Sequence, residues 1–179
     1  MRKLFILCAF LLQFLSPVHS QQATTATIEP NLKYGKPSKE ELSHPPYPPA
    51  PPATAIYLFH QGQSDFVYHD GFQLTTEHWV RIKILKPQGV SYADVSVPYY
   101  SPTDRDEGQE RASDIEGCSY NMENGKCIKT SMKRESISFE RINNLYKMLK
   151  FSLPAVKEGT VIEYHYKSTP TIFHTSTTG

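Results

Sequence analysis

Alternation of apolar and polar residues is strongest in residues 72–100, which read FQLTTEHWVRIKILKPQGVSYADVSVPYY. In residues 80–84 three aliphatic side chains alternate with two basic ones. This period of two predicts a strand with one buried face and one solvent-facing face. Residues 95–99 repeat the period, and residues 86–89 between the two runs place proline and glycine where a type I turn favours them. The pattern predicts one long hairpin.

Further short strands are predicted on both sides of this hairpin. Residues 55–60 and 65–68 predict a pair that turns at residues 61–64, and His69-Asp70-Gly71 predicts the turn into the long hairpin. Residues 115–122 and 126–133 predict a second hairpin around Glu123-Asn124-Gly125, because Asn-Gly is typical of a tight two-residue turn.

The rest of this region predicts a loop, a short helix and two last strands. Residues 101–113 are charged and predict a surface loop, whereas residues 135–147 have apolar side chains on one helical face and predict a helix of two turns. Residues 149–153 and 161–166 predict strands, with a turn at Lys157-Glu158-Gly159 between them. Eight locally connected strands predict an all-β fold, an antiparallel β-sandwich of about eight strands with at most one or two short helices; a twisted open barrel is the alternative.

The beginning of the chain differs from this strand-rich region. Two basic residues precede an apolar run over residues 4–15, and small residues follow up to Ser20, which predicts a signal peptide of residues 1–20 cleaved after Ser20. A membrane anchor is disfavoured because a spanning helix needs about 20 apolar residues. We expect residues 21–54 to form a leader with a short helix and a proline-rich spacer, residues 55–168 the β-sandwich, and residues 169–179 a disordered tail.

The short helix of the leader carries its own start signal. Ser38 is followed three residues later by Glu41, the spacing of a capping box.

Charge and cysteine content narrow the class of protein. The chain has 19 basic and 18 acidic residues, and removing the two basic residues of the signal peptide leaves 17 basic and 18 acidic residues. The mature chain therefore has no excess of positive charge that would attract nucleic acid. Cys118 and Cys127 are expected not to form a disulfide. A turn at residues 124–125 would put Met122 opposite Cys127, with Cys118 roughly 13 Å further along the strand, beyond the limit of about 7 Å for bridged Cα atoms.

Motifs for catalysis are scarce. The sequence has no G-x-S-x-G, H-E-x-x-H, phosphate-loop or zinc-cysteine pattern. Two groups of polar residues are candidates for metal or acid–base chemistry: His60, His69, Asp70 and His78, and Glu163 with His165. Solvent-facing polar residues on strands are the favoured interpretation of both groups, so no catalytic residue, metal or cofactor is predicted.

Aromatic residues provide a binding hypothesis instead. Tyr99 and Tyr100, together with Tyr47, are predicted to contribute to a platform for sugar rings or peptides, because flat amphipathic side chains bind such ligands at low entropic cost.

Four phrases carry a resemblance to a known family: residues 33–42 (KYGKPSKEEL), 71–100 (GFQLTTEHWVRIKILKPQGVSYADVSVPYY), 120–130 (YNMENGKCIKT) and 150–166 (KFSLPAVKEGTVIEYHY). Together they resemble the N-terminal domain of unknown function that precedes the transglutaminase-like core in exported bacterial envelope proteins. The resemblance implies a non-catalytic β-sandwich module located in the periplasm or cell envelope. The catalytic Cys-His-Asp residues of that family lie further downstream, so none transfers to this chain.

The chain departs from the family in its dense proline run over residues 45–52, in Cys118 and Cys127, and in its threonine-rich end, which suggests a truncated copy. We therefore predict a non-catalytic binding or scaffold domain whose partners are envelope proteins, peptides or glycans. A truncated remnant without activity and a small thiol or hydrolytic enzyme are the alternatives. Residues 161–166 are expected to form an uncovered edge strand through which the chain self-associates.

Overall fold

A computed structural model describes residues 33–43, 53–68, 72–104 and 109–169, and these residues form eight strands in two antiparallel sheets. The one α-helix of these residues is α1 (Lys39–Ser43), and 3₁₀ helices span Pro87–Ala93 and Arg134–Ser136. The strands are β1 (Ala55–Tyr68), β2 (Phe72–Ile84), β3 (Asp94–Tyr100), β4 (Arg111–Glu123), β5 (Lys126–Ser131), β6 (Ile137–Arg141), β7 (Tyr146–Ser152) and β8 (Val161–Thr169). The predicted all-β sandwich of about eight strands is confirmed.

Two sheets enclose the main core. The larger sheet has the strand order β1-β2-β8-β4-β5, and the smaller has the order β3-β7-β6. We call the face of the larger sheet that meets the smaller sheet the inner face, and the opposite one the outer face. Buried side chains between the sheets are Val80, Ile82, Ile84, Ala93, Tyr99, Leu149, Phe151, Leu153, Ile162 and Tyr164. Burying these side chains is the main hydrophobic contribution to stability.

The prediction that residues 72–100 form a hairpin is wrong. Strand β2 pairs with β1 and β8, whereas β3 pairs with β7 in the other sheet. The predicted turn does exist, since Gly89 N–H donates to Lys86 C=O at 2.9 Å, but it opens the 3₁₀ helix that carries the chain across to the smaller sheet. A Cβ atom at Gly89 would collide with the carbonyl of Thr54, so this glycine permits close packing between chain segments.

The turn predicted at residues 61–64 is also wrong, because β1 is one continuous strand of 14 residues. The second half of β1 is exposed, so its sequence does not have to alternate apolar and polar residues. Ser64 Oγ of β1 and Thr76 Oγ1 of β2 form a hydrogen bond of 2.8 Å between the two strands. Residues 65–68 and 72–75 lie beyond the last β2–β8 pair, and we call this two-stranded ribbon the arm. The predicted turn at residues 69–71 lies outside the described residues.

The second predicted hairpin is confirmed. Asn124 and Gly125 have φ values of 50° and 75°, as a two-residue turn requires, and Met122 lies opposite Cys127. Cys118 lies opposite Ser131 at the other end of the pair, and both cysteines are free thiols, Cys118 buried and Cys127 exposed.

The helix predicted over residues 135–147 is wrong. Residues 137–141 form β6, which pairs with β7, and the carboxamide oxygen of Asn143 accepts hydrogen bonds from the N–H groups of Leu145 and Tyr146 in the turn between the strands. That side-chain bonding favours a turn over a helix.

The loop predicted over residues 101–113 is only partly correct, because β4 begins at Arg111 and Ser101 is buried, its N–H donating to Leu145 C=O at 2.8 Å. Residues 105–108 lie outside the described residues.

Strand β8 is central rather than at an edge, so the expected exposed edge at residues 161–166 is wrong. It pairs with β2 on one side and β4 on the other. Side chains alternate along this strand: Ile162 and Tyr164 belong to the inner core, and Val161 packs with Leu42 on the outer face. In the described chain, the edge strands are β1 and β5 of the larger sheet and β3 and β6 of the smaller.

Candidate functional site

The outer face of the larger sheet buries charged residues. Arg81 and Lys83, which the alternating pattern placed on a solvent-facing side, are 0% and 3% exposed, and Glu163 is 0% exposed. The prediction of solvent exposure is wrong because residues 33–43, which we call the N-terminal segment, cover this face. Burying charges is costly unless each charge is paired and hydrogen-bonded, so the partners decide what the face can do.

Arg81 is the centre of the buried layer. Its guanidinium donates from Nη1 to both oxygens of Glu41, at 3.0 and 3.1 Å, and from Nη2 to Glu163 Oε1 at 2.7 Å. Nη2 also donates to the carbonyl of Lys33 at 2.6 Å, and the guanidinium carbon lies 4.7 Å from the ring centre of Phe59. One cation therefore binds two carboxylates and a backbone carbonyl of the N-terminal segment.

Glu163 and Lys83 each have further hydrogen-bond partners in this layer. Glu163 Oε2 accepts from Gly35 N–H at 2.8 Å and from the Tyr120 hydroxyl at 3.1 Å. Lys83 Nζ donates to the carbonyls of Leu42 and Gly159, both at 2.6 Å. Burial lowers the pKa of Lys83 to about 8.

Helix α1 delivers Glu41 to this layer. The predicted capping box is present: Ser38 Oγ accepts from Glu41 N–H at 3.2 Å, and Glu41 Oε2 accepts from Ser38 N–H at 2.5 Å. Glu41 thus caps its own helix and neutralises Arg81 at once. These charges bond to one another, so the layer works as a structural closure of the outer face.

Cys118 is a poor nucleophile in this setting. It is buried beneath the N-terminal segment, and burial raises the pKa of its thiol. The thiolate, which is the reactive form, is therefore disfavoured.

The described residues of the two polar groups singled out in the sequence lie on both faces of the larger sheet. His78 stacks on Tyr166 with 4.6 Å between ring centres. Burial is the main cause that lowers the pKa of His78, and electrostatic interaction with the nearby His60 and His165 lowers it further. His165 stacks on Trp79 at 5.3 Å on the outer face, whereas His69 and Asp70 lie outside the described residues. Within the described ranges no group of three or more His, Cys, Asp or Glu residues is arranged to hold a metal ion.

The two tyrosines of the predicted platform do not share a surface. Tyr99 is buried in the core with its ring 6.4 Å from that of Phe139, and Tyr100 is half-buried with its ring 5.7 Å from that of Tyr146. Consecutive residues of a strand point to opposite faces, so the two rings cannot form one platform. Tyr47 lies outside the described residues.

A cleft of about 720 Å³, which no sequence pattern predicted, lies where the larger sheet meets β6. One wall is β4 from Ala112 to Cys118, and the other comes from the second 3₁₀ helix and from Ile137 and Phe139 of β6. Tyr34 of the N-terminal segment closes one side. This volume lies within the range of about 300–1,000 Å³ of small-ligand sites.

The β4 wall of the cleft is an open strand edge. Strand β5 pairs with β4 only from Cys118 to Glu123, and the chain leaves for the smaller sheet after Met132 N–H donates to Gly117 C=O at 2.8 Å. Residues 112–116 therefore face the cleft on one side in the described chain, and on the other side they lie along β8, with which residues 112, 113 and 116 pair. An open edge offers unpaired backbone N–H and C=O groups to a further strand.

A bulge interrupts this edge. The register between β4 and β8 shifts between Ser113 and Glu116, and Asp114 has a φ of 51°, a left-handed conformation that few residues other than glycine adopt. Its carboxylate pairs with Lys167 at 3.4 Å. Bulges of this kind re-aim neighbouring side chains and are frequent next to binding sites.

The side chains of the cleft are mixed in character. Ile115, Met132 and Ile137 are half-buried, and Phe139 is 52% exposed, which gives the cleft an apolar lining. Charged residues of both signs surround this lining: Asp114, Glu116, Lys129, Lys133 and Arg134. The cleft therefore combines backbone hydrogen-bonding groups, apolar contact area and a rim without one dominant charge.

No protein-family model and no curated protein matches the chain. A solved structure from Parabacteroides distasonis, of a candidate protease, is similar with 11% identity and a TM-score of 0.47. The match covers 66% of this chain and 23% of that chain, so this chain spans about a quarter of that structure. A match at this level carries no inference about activity, and the resemblance to the transglutaminase-associated module stays a prediction.

The helices of the described ranges are all too short or too polar to cross a membrane.

Proposed function

We propose that the chain is a non-catalytic binding module of an exported envelope protein, and that it takes up an extended peptide segment along the open edge of β4. The observation that carries the proposal is the open β4 edge over residues 112–116, which has no β5 partner in the described chain, beside a cleft of about 720 Å³. Edge strands bind extended peptides by adding a strand, with main-chain hydrogen bonds providing affinity and side-chain pockets providing selectivity.

The dimensions of the edge suit a short peptide. The open edge, from residue 112 to residue 116, is roughly 17 Å long at about 3.3 Å per residue, which suits pairing with a segment of similar length. The half-buried side chains of Ile115 and Ile137 offer apolar contacts to alternate residues of such a segment. Charges of both signs at the rim suit a polypeptide better than a ligand of one strong charge.

The chemistry of the remaining groups supports binding rather than catalysis. The buried carboxylates of Glu41 and Glu163 are engaged by Arg81, and the pKa of the Cys118 thiol is raised by burial. A thiol nucleophile needs a lowered pKa, so the thiol-enzyme alternative finds no support at Cys118.

An array of random octapeptides probed with the whole chain tests the proposal. Phe139→Glu places a charge on an exposed ring of the cleft and should abolish the signal of the peptides that the wild type selects. Phe66→Glu is the matched control, since Phe66 is 77% exposed on the arm and the substitution has the same chemistry away from the cleft. Circular dichroism of both variants verifies folding.

Selected peptides that bind the wild type and Phe66→Glu but not Phe139→Glu would support the proposal. The absence of any selected peptide, or an equal loss in both variants, would refute it.

A further inference from the structure

A second concavity lies on the side of the sandwich where β1 meets β3. It has a volume of about 300 Å³, and we call it the notch. Its walls come from β1, the first 3₁₀ helix and the start of β3, and its floor from Ile82 and Tyr164 of the inner face. None of its lining residues belongs to the cleft beside β4, so the notch is a separate site.

Two exposed tyrosines form a corner in the notch. Tyr57 is 52% and Tyr92 is 39% exposed, their ring centres are 6.1 Å apart, and their planes meet at 78°. The ring of His60 stacks on Tyr57 at 6.2 Å and restricts its orientation. The two rings are nearly perpendicular and lie above a buried floor. A ligand with a flat apolar face can therefore stack on one ring and contact the other ring at its side.

The rim of the notch provides hydrogen-bonding groups. Asp94 Oδ1 accepts from Ser152 Oγ at 2.5 Å, while its Oδ2 makes no hydrogen bond within the described residues. Ser91 Oγ donates to Gln88 C=O at 3.3 Å and keeps its lone pairs for another donor. The hydroxyls of Tyr57 and Tyr92 can both donate and accept. Acceptors and donors therefore stand next to an aromatic surface.

The charges of the lining narrow the ligand class. Among the described residues that line the notch there is no lysine or arginine and Asp94 is the one charged residue, which disfavours an anionic ligand. A ligand with an apolar ring face and a rim of hydroxyl groups matches both the tyrosine corner and the mixed donors and acceptors. We propose that the notch binds a neutral saccharide, with one sugar ring in the Tyr57–Tyr92 corner and ring hydroxyls donating to Asp94.

The test is a titration of the ¹⁵N-labelled whole chain with cellobiose, maltose and chitobiose, followed by amide shifts. At least one disaccharide should give saturable shifts centred on residues 57, 91–96 and 164. Tyr92→Ala should weaken that binding about tenfold, the upper end of an aromatic contact. Asp94→Asn keeps the shape of the side chain and should weaken the binding too, which separates loss of a ligand contact from loss of fold.

Two controls make the outcome decisive. Tyr68→Ala removes a ring that is 72% exposed on the arm and should leave saccharide affinity unchanged, and Phe139→Glu should do the same because it lies in the cleft. Failure of peptide binding therefore leaves this test intact. The proposal would be overturned if none of the three disaccharides gave saturable shifts, or if Tyr92→Ala left the affinity unchanged. It would also be overturned if the organic cation choline, added as its chloride, bound while no disaccharide did.

Discussion

The two faces of the larger sheet are both buried, but by different interactions. On the inner face, Val80 and Ile82 pack against the smaller sheet in a core of apolar side chains. On the outer face, Arg81 and Lys83 are enclosed by the N-terminal segment and satisfied by hydrogen bonds to carboxylates and carbonyls. The same strand therefore contributes dispersion and desolvation on one side, and paired charges on the other.

Because the two faces are buried by different interactions, they should respond differently to substitution. An apolar face loses stability in proportion to the volume removed. A buried charge layer depends on every partner, because deleting one partner leaves an uncompensated charge in a dry environment. In this layer Arg81 is engaged by carboxylates and Lys83 by backbone carbonyls.

The largest effect is expected for Arg81→Met. This substitution leaves the buried carboxylates of Glu41 and Glu163 without their cation, so the free energy of unfolding should fall by about 3–5 kcal/mol. Urea unfolding followed by circular dichroism measures it. Arg111→Met, at an exposed position, is the control and should stay within about 0.5 kcal/mol of the wild type. A loss below about 1 kcal/mol for Arg81→Met would mean that the outer layer is open to water.

Ile162→Ala examines the inner face one residue away from Glu163. Ile162 is 0% exposed, so the truncation should cost about 2–5 kcal/mol through lost burial and the cavity left behind. Ile162→Val removes only one methyl group from the inner face and should lower the free energy of unfolding by about 0.5–1.5 kcal/mol. This loss should be clearly smaller than that of Arg81→Met on the outer face. If Ile162→Ala were neutral in urea unfolding, the core between the sheets would be wrongly assigned.

Lys83 predicts a pH dependence. Burial lowers its pKa to about 8 from 10.5, so between these pH values the unfolded chain binds more protons than the folded chain, and stability rises with pH. Lys83→Met removes this titration. The unfolding free energy of the wild type, minus that of the variant, should be flat below about pH 7 and rise above pH 8 by up to about 1.4 kcal/mol per pH unit. A difference that stays constant up to pH 9.5 would contradict the buried position of the amine.

Ser38→Ala should have the smallest effect. It removes the hydroxyl that accepts from Glu41 N–H, and loss of such a cap costs about 1 kcal/mol. Thermal unfolding compares it with Ser43→Ala, an exposed serine at the other end of α1, which should change little. Equal effects of the two substitutions would show that the cap does not hold the N-terminal segment in place.

Local signals in the sequence predicted local structure well. The hairpin at Asn124-Gly125 and the capping box of Ser38 and Glu41 are set by residues at most a few positions apart, and both are present. The eight-strand sandwich followed from the spacing of strands and turns.

Long-range pairing was not predictable in the same way. Strand β2 pairs with the distant β8 as well as with its neighbour β1, and Arg81 binds residues 40 and 82 positions away. An alternating pattern alone could not show that a distant segment covers the polar face of β2. The turn at residues 86–89 was recognised, but a turn does not specify which sheet the next strand joins. The long hairpin was therefore wrong although its turn was present.

The candidate sites were missed for the same physical reason. The cleft depends on where β5 stops pairing with β4, and the notch joins Tyr57 and Tyr92 from separate elements. Neither is a feature of a contiguous sequence. The predicted platform at Tyr99 and Tyr100 failed because alternation along β3 sends one ring into the core.

Hydrogen exchange at the β4 edge measures directly whether a peptide pairs with this strand. Amides of residues 112–116 are followed by NMR or mass spectrometry in the free chain and with a saturating octapeptide selected on the array. Peptide pairing along the edge predicts slower exchange there, with exchange in the arm unchanged. Unchanged exchange over residues 112–116, with a bound peptide that protects another part of the chain, would contradict the proposed binding mode.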